Sequence, residues 1–514
     1  MKKSEFGLYS LFWLSVYMEE STSSSQKGFA RYHTLNLMQN IKTCLLCLFL
    51  GFFFTPVAFS DYKTDIGYTD LQALLGARIP TGAGVKVIQV EVGGTVYAPS
   101  TTSPQFTGKT FRFPGAASLS PSDHATGVGS IFYGTHSMAN GISDITCYEA
   151  TFWINSMFRS SVSALPDGSR VVNHSWAGNG NDVSQIGTML RMLDRQVERN
   201  ELIEVVTMAN APGVNVLLSG AYNVIAVGKI RGNLDYGSKT VDLVYGAGRT
   251  RPDVVAPEPT TSVAAPEVAA TAVLLVETGH KGALKLSTSF TTIAGVDTVY
   301  NAERVETIKA ALMAGADRVT NNSHGKGDIS DYRSSGHQTS NGLDDRFGAG
   351  QVNALHSFQI IAAGEQNSLE DGGLNAGTIG LTGFDYDNAF GGYLNSNKTA
   401  TYKFQATNGS KLSASLVWNI DVTNDRTLAA ALPNLNLELF DVTTQTASAF
   451  SSSKRDNTEN IQVDLVAGHS YELLVTSGET KNFSWDYSLA WYIIVQEPAS
   501  HSAKRAFSSL QSAW

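Results

Sequence analysis

The sequence predicts an α/β domain on a mostly parallel sheet with helices on both faces, followed by an antiparallel β-sandwich. Three observations predict it. From about residue 61 to 365, short apolar runs alternate with helix-like segments. The character changes at a Gly/Asn-rich link, Asp371 to Gly380. Beyond it, apolar and polar residues alternate with period two, with turn residues between the runs. Strand–helix alternation implies a parallel sheet covered on both sides, and period-two runs imply strands with one buried face.

Taken in order, "VKVIQVEV", "DITCYEATFWI", "SRVVNHSW", "LIEVVTMAN" and "YNVIAVGKI" read as buried strands. "DVSQIGTMLRMLDRQVERN" carries apolar residues at helical spacing and charges on its other face. "VAAPEVAATAVLLVETG" and "AERVETIKAALMAGA" also read as helices. The sandwich is expected from "TATYKFQA", "KLSASLVWNI", "LNLELFD", "NIQVDLV", "SYELLVT" and "WDYSLAWYIIV". The expected organisation is 1–60 as N-terminal extension and signal peptide, 61–366 as the α/β domain, 376–496 as a jelly-roll-like sandwich and 497–514 as a tail.

The chain has 514 residues, 42% hydrophobic and 16% charged, which describes a globular protein of more than one core. A net charge of −9 and no Lys/Arg run give no electrostatic case for nucleic-acid binding. Lys42 precedes the apolar stretch "TCLLCLFLGFFFTPVAFS", in which Ala58 and Ser60 suit a signal cleavage site. Pro56 and the short apolar core argue against a membrane anchor. Met38 begins a conventional signal, so residues 1–37 read as an overlong start. The expectation is export, to the medium or to the periplasm and cell envelope, with no stable membrane insertion after cleavage. Cys44 and Cys47 lie in that segment, which leaves Cys147 without an intrachain disulfide partner and reading as a small buried residue.

Four residues stand where chemistry gathers in open α/β sheets, at the carboxyl ends of strands and the starts of helices. Glu91 is an ionisable group closing an apolar strand, and an unpaired buried charge is costly, so it requires a partner. His124 opens a small-residue segment, "HATGVGS". Asn210 ends "VVTMAN" and offers an amide donor to an oxyanion. Ser262 opens a long apolar helix, with Pro266 expected in its first turn, and its hydroxyl faces free N–H groups and the positive dipole end.

At these positions the chain resembles the subtilisin-like serine proteases. "VKVIQVEVGG", "HATGVGS", "TMAN" and "TTSVAAPEVAA" stand in the order of that family's Asp, His, Asn and Ser blocks, separated by 33, 86 and 52 residues. "NVIAVGKI", "RPDVVAPE", "VETIKAALMAGA" and "DDRFGAGQVNA" fit between and after them. The resemblance implies a serine endopeptidase on the subtilisin-like fold, acting on a protein or peptide. Ser262 would be nucleophile, His124 general base, Glu91 the carboxylate orienting it, and Asn210 the oxyanion donor. "VVNHSWAG" falls on the family's substrate strand, so Ser175, Trp176, Ala177 and Gly178, with Ala209, are implied substrate contacts. No metal or cofactor is implied for catalysis, and a structural calcium ion is left open. "LSASLVWNIDV" and "LPNLNLELFD" are similar to the sandwich found after some bacterial subtilase domains, which makes Trp418 and the run Trp485 to Tyr492 expected core.

The chain departs from the pattern at several places. Glu91 stands for Asp and is one methylene, about 1.5 Å, longer. Ala125 and Gly127 replace the Gly and second His of the His block, Thr260 a Gly before the Thr-Ser pair, and Ala209 a Gly of the specificity pocket. The added methyl of Ala209 should narrow that pocket, with Trp176 crowding the same region. Only about 25 residues, Ser60 to Gly84, separate the signal from the first strand, where secreted relatives often carry a folding pro-domain. These departures motivate a second reading, a degenerate relative acting as a binding or structural protein; a third is another hydrolase such as an esterase. Asp123 is an alternative carboxylate for His124. His174 lies close to substrate or serves structure. His136, His280, His324, His337, His356 and His469 show no metal spacing. Asn173, Asn397, Asn408 and Asn482 head Asn-x-Ser/Thr sites.

Overall fold

In the computed structural model, the α/β part is built on seven strands: β1 (Val87–Glu91), β2 (Thr110–Arg112), β3 (Asp144–Glu149), β4 (Val171–His174), β5 (Ile203–Thr207), β6 (Ile225–Lys229) and β7 (Val254–Ala256). They form one parallel sheet in the order β2-β3-β1-β4-β5-β6-β7. The described residues are 62–495 apart from 117, 158–166, 181, 214–215, 231–232, 324, 392–396, 408 and 480–482. The expected signal segment, the tail, His324, Asn408 and Asn482 lie outside them.

β1 is hydrogen-bonded on both sides and all five of its residues are buried. A strand covered on both faces has no exposed side, which is why "VIQVE" is a nearly continuous apolar run. Gln89 and Glu91 are the two polar residues in it and share one face, because side chains alternate along a strand. In the register with β3, Gln89 lies opposite Cys147, which is 1% exposed. Burial, with the Glu91 charge nearby, pushes the Cys147 thiol well up. Gly93 then turns the chain sharply away at φ 143°, where a Cβ would stand 2.3 Å from the Val96 carbonyl oxygen.

The helix Thr261–Gly282 is buried almost throughout and packs against β4, β5 and β6. Its composition is apolar enough to span a membrane, yet 89% of that window is buried in the protein. It is a core helix, hydrophobic on all sides. The helix Val183–Asn200 covers the opposite face of the sheet, which has its own hydrophobic cluster around Val172, Leu190 and Tyr222. Asp182 caps it by accepting from Ser184 N at 2.9 Å. One expected strand is half helix: "DITCYE" forms β3, but Ala150–Phe152 is helical. Glu149 explains the switch, since its carboxylate accepts the Phe152 N–H at 3.0 Å and caps the turn. β2 was not legible: it is a three-residue edge strand with no residue fully buried.

A small hairpin, β8 (Phe290–Ile293) and β9 (Asp297–Tyr300), precedes the helix Val305–Ala314. The sandwich comes next. Its strands are β10 (Thr382–Phe390), β11 (Thr399–Gln405), β12 (Ser410–Val417), β15 (Leu435–Asp441), β16 (Thr446–Ser451), β17 (Thr458–Asp464), β18 (Ser470–Ser477) and β19 (Trp485–Val495). The pair β13 (Asp421–Val422) and β14 (Ala430–Ala431) forms a separate hairpin. One four-stranded sheet runs β10-β19-β12-β17 and the other β11-β18-β15-β16. All pairings are antiparallel, and β15 alternates buried and half-buried residues as period two requires. Trp418, Tyr487 and Trp491 are fully buried between the sheets. The fold class predicted from the sequence is thus the one observed.

The sandwich is stitched to the α/β part by buried polar contacts. Asn223 Nδ2 donates to the Ile420 carbonyl at 3.0 Å while Ile420 N donates back to Asn223 Oδ1 at 2.8 Å. Ser413 Oγ donates to the Ala314 carbonyl at 2.7 Å, filling the end of its helix. The two architectures form one compact unit.

Candidate active site

β1 delivers Glu91 to the carboxyl edge of the sheet, 2% exposed. The helix Asp123–Phe132 begins nearby, capped by Ser122, whose hydroxyl accepts the Ala125 N–H at 3.2 Å. His124 stands in its first turn with a side chain 51% exposed. Its Nδ1 meets Glu91 Oε2 at 3.0 Å. The carboxylate accepts at Nδ1, so that nitrogen carries the proton and Nε2 is the free basic face. The hydrogen bond to Glu91 holds the His124 pKa above its ordinary value, against the opposing effect of partial burial. The neighbouring Asp123 is exposed and makes no bond to His124 among the described residues.

Ser262 is the second residue of its helix, where backbone N–H groups lack intrahelical acceptors. Thr261 fixes that helix end to β5. Its hydroxyl donates to the Met208 carbonyl at 2.6 Å and lies 3.0 Å from the Thr207 hydroxyl. Its N–H donates to Asn210 Oδ1 at 2.9 Å. With Oδ1 occupied, the exposed Asn210 side chain has its NH₂ group left to donate. Thr260 has φ −132° and ψ 147°, the extended region that β-branched residues favour, so no glycine is needed there. Among the described residues, no hydrogen bond joins the Ser262 hydroxyl to His124.

Pro266 lies beyond the first turn, contrary to expectation, as the sixth residue of the helix. A proline donates no N–H to the carbonyl four residues earlier, and that carbonyl belongs to Ser262. Ser175 fills the gap: its hydroxyl donates to the Ser262 carbonyl at 3.0 Å and accepts from Asn173 Nδ2 at 2.9 Å. The expected substrate strand is thereby tied directly to the candidate nucleophile. Trp176 is 7% exposed and turns into the core beside His174, with ring centroids 5.9 Å apart. Ala177 is exposed, and Gly178 bridges to Leu217, whose N–H donates to the Gly178 carbonyl at 3.2 Å. A Cβ on Gly178 would come within 2.9 Å of the Trp176 ring. Ala209 is 8% exposed and its carbonyl accepts the Asp235 N–H at 2.9 Å. Gly127, at the place of the family's second His, has open space where a Cβ would stand.

His174 is fully buried, with Nε2 2.7 Å from Glu204 Oε2, and is shut off from any substrate. His280, His337, His356 and His469 each pair with one carboxylate, Glu303, Asp345, Asp317 and Asp441. One carboxylate trio in the described residues has oxygens close enough to hold a metal ion: Glu198, Glu306 and Asp486, all within 4.8 Å of one another. Burial first, then the charges of Asp486 and Glu201, pushes Glu198 up to about 8. Glu306 is pushed well up for the same reasons. Asn419 Nδ2 donates to Glu306 Oε1 at 2.6 Å and Tyr386 to Asp486 Oδ2 at 2.7 Å, but Glu198 Oε2 and Glu306 Oε2 have no hydrogen-bond partner.

Sequence reasoning missed three contributors: Gln89, Tyr133 and the Ser175–Pro266 relation. Gln89 was visible as the odd polar residue two before Glu91, hence on its face of the strand. Tyr133 closes the His124 helix and carried no local signal.

No family profile matches this chain, and no curated protein matches it. Among solved structures it is similar to a mutant of the protease domain of PatA, at 15% identity and a TM-score of 0.37, covering 55% of this chain and 98% of that one. It is similar to a cold-adapted subtilisin-like serine proteinase at 14% identity and a TM-score of 0.33, covering 48% and 88%. The pre-peptidase C-terminal domain of a collagenase from Bacillus anthracis is similar at 17% identity and a TM-score of 0.17, covering 22% and 91%.

Proposed function

We propose that the protein is an exported serine endopeptidase that hydrolyses peptide bonds through an acyl-enzyme. The observation that carries the reading is the 3.0 Å contact of Glu91 with His124 Nδ1, which leaves Nε2 as a base. Ser262 attacks the peptide carbonyl carbon and gives its proton to His124 Nε2. Glu91 supports the imidazolium that forms. The oxyanion is held by Asn210 Nδ2 and the Ser262 N–H. His124 returns the proton to the leaving amine, which departs and leaves the ester on Ser262. Water, deprotonated by the same imidazole, then cleaves that ester. Ser175 to Gly178 pair with the substrate backbone, and Ala209 favours small side chains at the specificity pocket.

A fluorophosphonate probe tests the reading, because it phosphonylates only an activated serine. Labelling of the folded chain that Ser262→Ala abolishes is the expected result. A well-folded chain that does not label would overturn it. The free Ser262 hydroxyl favours a second reading, a non-cleaving binder on the same scaffold, and the same experiment separates the two. Catalytic hydrogen bonds often close only when substrate binds, which is how the protease reading accommodates the free hydroxyl. A preference for large aromatic residues in a peptide library would contradict the narrowed pocket.

A further inference from the structure

A glutamate carboxylate has one more rotatable bond than an aspartate's and about 1.5 Å more reach. A misplacement of about 1 Å costs on the order of 100-fold in rate. One contact to the imidazole does not fix such a group, since it pivots about that contact. The structure supplies a second. Gln89 Nε2 donates to Glu91 Oε1 at 3.0 Å, so the two carboxylate oxygens are held by different donors.

The same Gln89 nitrogen donates to the Ala125 carbonyl at 2.9 Å. Ala125 is the residue after His124, so one amide grips both the carboxylate and the turn that presents the base. The amide's own orientation is determined by its neighbours. A carboxylate and a carbonyl, both acceptors, face Nε2, and the Tyr133 hydroxyl donates to Oε1 on the other side. Gln89 and Tyr133 are fully buried and Glu91 is 2% exposed, so water does not compete for these bonds. Tyr133 stands at the far end of the helix that begins at His124, which closes the loop from base to carboxylate to amide to helix.

We infer that Gln89, oriented by Tyr133, is a positioning residue that keeps the longer Glu91 carboxylate in register with His124. This rests on the protease reading for its catalytic meaning, though its geometry is independently measurable. Nothing in the arrangement requires Gln89 to touch substrate; it acts through Glu91.

The test is a double-mutant cycle on the rate of fluorophosphonate labelling, with Gln89→Met and Glu91→Ala in the full chain. Gln89→Met should slow labelling about 10- to 100-fold when Glu91 is present. It should change the rate less than about twofold in the Glu91→Ala background, since residues acting through one another are not additive. An equal loss in both backgrounds, or none with Glu91 intact, overturns the inference. Where Gln89→Met does not fold, Tyr133→Phe carries the same cycle with a smaller loss. Proton NMR supplies a readout free of activity: the downfield Nδ1–H signal of His124 should be present in the parent and lost in Gln89→Met. If the parent never labels, the protease reading falls while this signal still decides the role of Gln89; a signal unchanged by Gln89→Met overturns that role.

Discussion

Glu91 and the trio Glu198, Glu306 and Asp486 are treated oppositely by their surroundings. Glu91 has a separate N–H donor for each oxygen, one from Gln89 and one from His124. Glu198, Glu306 and Asp486 crowd together with two oxygens unpartnered, and two of the three acids are pushed well above the ordinary carboxyl range. Burial raises both acids of the trio first, and the shortage of donors leaves that effect uncompensated, whereas each Glu91 oxygen has its own donor. Where donors match oxygens, a carboxylate can lend its charge to a neighbour, and His124 is raised accordingly. Where acids outnumber donors, the cheaper outcome is to retain protons.

The largest effect that sharpens this contrast should come from Glu91→Ala. On the protease reading proposed above, Glu91 is the triad carboxylate, whose removal costs on the order of 10⁴-fold in rate, so labelling should fall by about 10³- to 10⁴-fold. A fall below tenfold would show that Glu91 lends nothing to His124. The pH profile sharpens the point. Labelling requires neutral His124 and should rise with pH through its raised pKa, and Glu91→Gln should move that rise to lower pH.

Glu306→Gln should act on stability instead. Glu198 and Glu306 retain protons above the ordinary carboxyl pKa of about 4.3, whereas the unfolded chain releases them there. Folded stability from this cluster is therefore fullest below that pH and is lost as pH rises toward about 8, where Glu198 ionises. Replacing one acid by its amide should flatten this loss and stabilise the protein at pH 8 by on the order of 1–4 kcal/mol. Urea melts at pH 5 and pH 8 measure it; an unchanged pH dependence would break the contrast.

The smallest expected effect is that of Ser175→Ala, which leaves the Ser262 carbonyl without a donor beside Pro266. A loss of about 1–3 kcal/mol in stability is expected. Adding Pro266→Ala restores a backbone N–H to that carbonyl, and the double variant should recover part of the loss.

Much of this was legible in the sequence because it is periodic or ordered. The buried runs of β1, β4, β5 and β6 and the alternation of β15 announce their environments directly. That Glu91 needs a partner followed from its burial, while His124 as that partner was implied by the resemblance of the two blocks. What was not legible depends on residues far apart in sequence. Tyr133 lies 44 residues from Gln89, and Ser175 lies 87 from Ser262. β16, with mostly exposed Thr, Ser and Ala, lacks the alternation that marks a half-buried strand. Pro266 was visible, but which carbonyl it strands becomes clear only when the helix start is fixed at Thr261.

Cys147 sits opposite Gln89 in the β1–β3 pair, 1% exposed, and is the sole cysteine among the described residues. A thiol in that position is a built-in clock. A disulfide reagent reaches it only when the layer packed over that face opens, so the rate of modification times the uncovering of the ladder that ends in Glu91. An occupant that clamps the site would slow the clock, and one that bound elsewhere without stabilising that ladder would leave it running at the same pace.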